Sequence, residues 1–363
     1  MKLAWKEIRY YKAKYFLIEV ILVLMIFMVL FLSGLANGLS RAVSFAIENI
    51  DAQTFVVQSD VDNLIPLSSL NDEQLDEIKS QTSAEVETLN IQRLNLNLVG
   101  QDKKLDVTYF VVDDYGFLNP DLKEGRTILN KQGFEIVLDI SFKDDGIIVG
   151  DYVEDTATKI IMRVVGFTTD KLYGHTPVGY ITPETYLSIK KVLNPEYVYS
   201  YNAFVIRSHE FENKLKLDGV DVVSKDTIVN HIPGYSAEQT TINMIVWVLV
   251  VISAAIVGVF SYVLTVQKEH QFGVLKAIGM SMKELSVIVV GQILLISFIG
   301  MIVGNILVSL MSMVLPNSMP FYIERSSALL VSGAFILISI FSGLISLRRI
   351  AKVDPIISIG GHE

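Results

Sequence analysis

The side chains best able to do chemistry in this sequence stand in, or beside, its apolar runs. Glu238 precedes by four positions a run that begins at residue 242, and Tyr235 stands nearly one helical turn before it. An ionisable group at the head of such a run is a functional candidate because it is costly to keep there; the plainer reading is an interfacial anchor. Met25 and Met28 lie inside an earlier run, where methionine ordinarily serves as packing. Glu19 lies in the first turn of that run, and its carboxylate is expected to reach the interface. With both runs helical, Met28 stands about two turns before the end of one and Glu238 about one turn before the start of the next. A thioether and a carboxylate then share a level, and both can ligate haem iron, methionine being the commoner ligand.

A second constellation is the stretch Gln267-Lys268-Glu269-His270-Gln271-Phe272-Gly273-Val274-Leu275-Lys276-Ala277-Ile278-Gly279 between two apolar runs. A short, polar, mixed-charge helix held there is poorly placed to bind substrate and well placed to receive a push from a soluble protein. Glu269 and Lys276 supply charge for that contact, while Gly273 and Gly279 allow close approach and a sharp return into the next run. A simple topological turn is the competing reading.

Other chemistry is missing. There is no Gly-x-x-x-x-Gly-Lys-[Ser/Thr] phosphate loop, no His-Glu-x-x-His zinc motif and no Gly-x-Ser-x-Gly nucleophile elbow. The five histidines (His175, His209, His231, His270 and His362) are scattered without ligand spacing and read as surface or loop residues. The absence of cysteine excludes disulfides, thiolate metal sites and cysteine catalysis. The chain is not expected to be an enzyme, nor to hold an intrinsic metal or cofactor.

The elements that must position these residues follow from hydropathy. The 363 residues are 51% hydrophobic, with a mean hydropathy of +0.45. Four apolar runs, 15–36, 242–266, 285–315 and 328–347, each suffice to cross a hydrocarbon core of about 30 Å as a helix. The third is long and holds Gly291, Gly300 and Gly304, so a tilt is expected. A cleaved signal peptide at 15–36, suggested by Gly34-x-Ala36, is disfavoured by an apolar stretch of about 20 residues where signal cores have about 7–15.

Basic residues set the orientation. Lys2, Lys6, Arg9, Lys12 and Lys14 precede the first run; Lys268, Lys276 and Lys283 lie between the second and third; Arg348, Arg349 and Lys352 follow the fourth. Both termini and the 267–284 segment are therefore expected in the cytoplasm, with 37–241 and the short loop 316–327 outside. Residues 37–241 carry 32 acidic and 18 basic side chains against 7 and 12 elsewhere, which argues against nucleic acid as a partner. Residues 1–14 read as an amphipathic helix on the inner leaflet, and 348–363 as a cytoplasmic tail.

The inserted region is of mixed α/β character. Stretches 54–58, 94–99, 105–112, 134–138, 160–165 and 203–206 have the β-branched and aromatic residues of strands. Stretches 72–80 and 183–192 read as helices capped by Asn71 and Thr182. Gly150-Asp151 and Gly174-His175-Thr176-Pro177 mark turns. The expected fold is thus an α-helical integral membrane protein of four transmembrane helices, with a large extracytoplasmic α/β domain between helices 1 and 2.

The segment Lys268–Gly279, with Glu269, Gly273, Lys276, Ala277, Ile278 and Gly279 in place, resembles the FtsX-like permease domain of MacB-type ABC transporters. So does the end of the fourth run, with Arg349, Lys352 and Pro355, and within the insertion Gly150-Asp151-Tyr152-Val153, Val164-Val165-Gly166 and Gly179-Tyr180-Ile181-Thr182-Pro183. Leu3-Ala4-Trp5-Lys6-Glu7-Ile8 and Phe31-Leu32-Ser33-Gly34-Leu35-Ala36-x-Gly38-Leu39 look most like the haem-regulated transporter permease (HrtB) branch. The resemblance implies a homodimeric, multi-pass cell-membrane permease of a Gram-positive bacterium, working by mechanotransmission. ATP and magnesium would be handled by a separate ABC ATPase subunit, since the chain opens at its amphipathic helix. It implies haem as transported substrate, received between a span-one methionine and a glutamate before span two, positions that Met28 and Glu238 fit, with Met25 and Tyr235 beside them. The alternatives within the family are export of peptides, antibiotics or lipoproteins, and a non-transporting relay to a cell-wall hydrolase.

Overall fold

The structure, a computed structural model, describes residues 10, 12–129, 133–212, 215, 217–315 and 319–351. Residues 1–9 of the expected amphipathic helix, and Lys352, Asp354 and Pro355 of the tail motif, lie outside them. The chain divides into two compact units, one of residues 1–39 and 240–363, the other Ser40–Gln239.

Among the described residues, four helices are long and apolar enough to cross a membrane. They are α1 (Lys12–Glu48), α5 (Tyr235–Val266), α7 (Met282–Val314) and α8 (Arg325–Ala351), with the short α6 (Glu269–Ala277) between the second and third. All four expected spans are shorter than their helices, α1 by the most. The helix α1 runs past residue 36 because Val43, Ala46 and Ile47 after the apolar run find a buried partner in the sheet. The helix α5 starts before residue 242, where Gly234 (φ +88°) breaks the chain and Glu238 falls in the first turn.

In the first unit the helices meet through small and polar residues, as they must where lipid offers no hydrophobic drive for helix association. Ser332, Ser339 and Ser346, seven residues apart on α8, are all buried. They face Asn305 (Nδ2 to Ser332 Oγ, 3.2 Å), Ser297 (Oγ to Oγ, 2.5 Å) and Thr265. Gly300 and Gly304 of α7 lie against α1, where a Cβ at Gly304 would stand 2.8 Å from Ile26. These two glycines therefore serve close packing, whereas Gly291 meets nothing within 4 Å. On α1, Gly34 and Gly38 receive the 320–322 segment: Tyr322 N–H donates to Gly34 O at 3.0 Å, and a Cβ at Gly34 would be 2.7 Å from the Phe321 ring. Glu19 does not simply reach outward. Its Oε1 is buried, with Gly300 alongside, because Glu19 falls near the face of α1 that carries Tyr15, Ile18 and Leu22.

Among the described residues, the second unit is a mixed sheet of eleven strands: β1 (Thr54–Gln58), β2 (Val86–Leu98), β3 (Leu105–Val111), β4 (Leu122–Gly125), β5 (Glu135–Asp139), β6 (Tyr152–Asp155), β7 (Ile161–Thr168), β8 (Leu172–Tyr173), β9 (Thr176–Ile181), β10 (Ala203–Ile206) and β11 (Val220–Ser224). The order is β11-β1-β10-β2-β3-β9-β5-β7-β4, with β6 on β2 and β7, and β8 on β9. The pairs β3/β9 and β5/β7 are parallel. The expected strand 94–99 is the second half of β2, whose first residues pair with β10 and whose later ones pair with β3. Thr176 and Pro177, expected in a turn, begin β9; the turn itself is Gly174-His175 between β8 and β9.

Helices cover the sheet where its alternating apolar residues would otherwise be wet. Helix α2 (Asp72–Gln81), opened by an Asn71 capping box, buries Leu75 and Ile78 against Val56, Phe204 and Ile206. Helix α3 (Pro183–Leu193), capped by Thr182, buries Tyr186 and Ile189 among the side chains of β3, β5 and β7. Ala46 and Ile47 of α1, with Ile228 and Val229 of α4 (Lys225–His231), pack on Phe55, Leu89, Phe110 and Val205. Lys225 Nζ closes the end of α1 by donating to Glu48 O and Ile50 O, both at 3.0 Å.

Candidate functional site

The coupling segment is built from two adjoining caps. After α6, Gly279 takes φ +96°. Its N–H donates to Lys276 O and the Met280 N–H to Leu275 O, each at 3.0 Å, the two bonds of a Schellman turn. Leu275 and Met280 pack beside the same buried cluster, the apolar contact that accompanies such a turn. Ser281 then caps α7 in a box with Glu284. The sharp return expected of Gly279 is therefore real, and a side chain there would force an L-residue into the left-handed region. Gly273 does something else: it is buried in the middle of α6, next to Phe272, which packs on Leu285, Val289 and Ile293. Glu269 and Lys276 are half-buried at opposite ends of the helix, whereas His270, Gln271, Val274 and Ile278 are exposed.

Lys268, at the N-cap of α6, is the residue that sequence reasoning missed here. It is 7% exposed, and its Nζ donates to Tyr15 Oη of α1 at 2.7 Å and to Gln292 Oε1 of α7 at 2.9 Å. The ammonium also lies 5.5 Å from the centre of the Tyr15 ring. The start of α6 is thus bolted to two apolar helices by one buried cation. A lysine flanking a span reads as a topology marker, and the phenol it reaches lies 253 positions away.

The proposed substrate residues fall in different units. Met25 and Met28 belong to the first. Met25 is half-buried, and Met28, 50% exposed, continues an exposed apolar stripe of α1 through Leu17, Val20 and Leu24. Tyr235 and Glu238 belong to the second, where they share the first turn of α5. Ser40 Oγ donates to Tyr235 Oη at 3.2 Å, and Glu238 Oε1 stands 3.1 Å from His175 Nε2. His175 is the second residue that sequence reasoning missed as a partner, having read it as a loop residue. The loop is real, but it delivers the imidazole to the carboxylate. Both side chains keep access to solvent, at 45% exposure for His175 and 36% for Glu238.

Deeper in the sheet unit the ionisable groups are structural. Burial opposes ionisation of Glu135, but hydrogen bonds from Arg126 and from the Leu129 N–H outweigh it and hold the carboxyl below its ordinary 4.5. Burial pushes Asp139 and Glu87 up against backbone hydrogen bonds that favour their anions, and it pushes Lys171 down.

Comparison with known proteins matches this architecture. Residues 243–355 match the family described as FtsX-like permease C-terminal. Over 363 residues, and the full length of both chains, the protein is 30% identical to a Staphylococcus haemolyticus protein named for a hemin transport system permease, HrtB. It is 31% identical over 364 residues to the protein of that name from Staphylococcus epidermidis, again covering both in full. An uncharacterized ABC transporter permease of Mycobacterium tuberculosis is 24% identical over 340 residues, 92% of each chain. Among solved structures, the extracellular domain of the noncanonic ABC-type transporter YknZ from Gram-positive bacteria aligns with 44% of this chain and 83% of its own, at 14% identity and a TM-score of 0.30. With four membrane-length helices, a capped polar segment between the second and third, and full-length relatives of this kind, the chain belongs to the FtsX-like permeases of ABC transporters.

Proposed function

We propose that this permease exports haem from the membrane as a homodimer, driven by a separate ABC ATPase on its cytoplasmic face. The observation that carries the reading is the full-length likeness, at 30–31% identity, to proteins named for hemin transport. The basic flanks of the four spans support a topology with both termini and α6 in the cytoplasm and the sheet unit outside. The exposed His270, Gln271 and Val274 of α6, with Ile278 at its C-cap, form the surface for the ATPase. Closure of that partner displaces α6, and Lys268 passes the displacement to α1 and α7, the work of mechanotransmission. The candidates for contact with an apolar porphyrin are Glu238 and Tyr235 in the sheet unit and Met28 and Met25 in the helical unit, each on the chemistry of its own side chain.

The test is an optical titration of the purified full-length protein with haemin, in native form and as Glu238→Ala, Met28→Ala and the double variant. Glu238→Ala is expected to abolish the haemin-dependent spectral change and Met28→Ala to weaken it. Equal binding by the double variant removes these residues from the site. No binding by the native protein sinks the haem reading, and peptide, antibiotic or lipoprotein export takes its place.

A further inference from the structure

The sheet unit contains a cavity of about 360 Å³, within the range of about 300–1,000 Å³ typical of small-molecule sites. Its position follows from the sheet. Ile91 and Arg93 stand on one face of β2, and Thr108 of β3 pairs directly with Arg93. Ile91 belongs to the core on that face and is 3% exposed, whereas the Arg93 side chain, two residues on, is 61% exposed. Leu64 and Leu67 from one segment, and Ile232 from another, wall the space beside them. Pro66 and Pro233 restrict the backbone of these two walls, which favours a preformed site.

The lining is apolar except at one end. Among the described residues no acidic side chain lines the cavity, and Arg93 is its one charged group. Arg93 makes a single side-chain contact among these residues, from Nη2 to Asp106 Oδ2 at 3.4 Å, and an exposed pair of that kind contributes little. Asp106 keeps a second partner, Asn95 Nδ2 at 2.6 Å, when the guanidinium turns to a ligand. Thr108 supplies the independent observation. It is 1% exposed, yet its hydroxyl has no hydrogen-bond partner among the described residues. Buried hydroxyls are ordinarily paired, so this one lacks an acceptor that a molecule in the cavity would supply.

We propose that this cavity binds an amphipathic carboxylate, its apolar body between Leu64, Leu67, Ile91 and Ile232 and its carboxylate held by Arg93 and Thr108. A guanidinium fork matches the two oxygens of a carboxylate, and a neighbouring hydroxyl donates to one of them. Two sources share this chemistry. One is a fatty acid of the bilayer, since the membrane-length helix α5 begins three residues after Ile232. The other is a porphyrin bearing propionates. Neither needs an iron ligand, so the site stands independently of the haem reading above.

The experiment uses the full-length protein in lipid nanodiscs with a diazirine-bearing palmitic acid, its adducts mapped by mass spectrometry. Light is expected to attach the probe at residues 64–67 and near Ile232, and excess oleate to suppress those adducts. Arg93→Gln should lower occupancy about 10-fold or more, the loss of a charge-assisted bond, and Thr108→Val about 2–10-fold, that of a neutral one. Both variants should keep the strands, since Arg93 is exposed and valine is β-branched like threonine. A second arm titrates native protein and Arg93→Gln with metal-free protoporphyrin IX, read by its fluorescence. Porphyrin binding about 10-fold weaker in the variant assigns the site to the porphyrin. Oleate-sensitive adducts that depend on Arg93, with porphyrin binding indifferent to it, assign the site to a fatty acid. If neither ligand's binding depends on Arg93, the proposal is overturned, and haemin binding through Glu238 and Met28 is unaffected.

Discussion

Glu135 shows how a residue in the sheet unit states its own pH dependence. Its carboxyl is held below 4.5, chiefly because Arg126 and the Leu129 N–H favour the anion more than burial disfavours it. A carboxylate depressed in the folded state stabilises the fold fully above its unfolded value, and that stability is lost as pH falls through the lowered one. Glu135→Gln should therefore cost about 1–3 kcal/mol at pH 7, and the cost should shrink below pH 4.5. Thermal unfolding of native and variant protein in detergent, from pH 7 to pH 3, reads it; a difference constant with pH would remove the ionic role. Asp139 and Glu87, raised by burial, act in the opposite sense, so the difference between the two proteins is the quantity to follow.

Among the elements, α6 has the most specific consequences. Lys268→Met keeps the length of the side chain but removes its hydrogen bonds to Tyr15 and Gln292, each worth about 1.5–3 kcal/mol as a bond from a charged donor. The assembled complex should then hydrolyse ATP with little or no transport, measured in proteoliposomes containing the ATPase subunit. Charge reversal at Glu269 or Lys276, half-buried at the two ends of α6, should do the same. Transport retained in all three variants would reduce the segment to a turn. What could be read in advance was the presence of α6, because mixed charge between apolar runs is a local signal. The target of Lys268 was not, because Tyr15 and Gln292 look like ordinary span residues until three helices converge.

At the scale of the whole molecule, the exposed apolar faces ask what covers them. On α1, Leu17, Leu24 and Met28 are 64%, 56% and 50% exposed, and on α5 Trp247 and Val251 are 69% and 64% exposed. Lipid or a second copy can cover such faces, and a symmetric pair is the commonest assembly. A homodimer along α1 predicts that a single cysteine at Leu24 cross-links two copies in native membranes, whereas one at the buried Leu22, 5% exposed, does not. The native chain contains no cysteine to confuse the result. Absence of cross-links at Leu17, Leu24 and Met28 alike would exclude that face.

The sequence by itself determined the four spans, the insertion between the first two, and most of the strands and caps within it. Bilayer thickness, alternation and capping are local rules, legible in a few consecutive residues, and Asn71, Thr182 and Gly279 obey them. The tertiary structure alone decided where α1 ends, because Val43, Ala46 and Ile47 continue the helix only by burying against strands far along the chain. It also turned an apparent loop histidine into the partner of Glu238, 63 residues away. No local pattern encodes such a contact: it exists because the β8–β9 turn is anchored on α1 within reach of the first turn of α5.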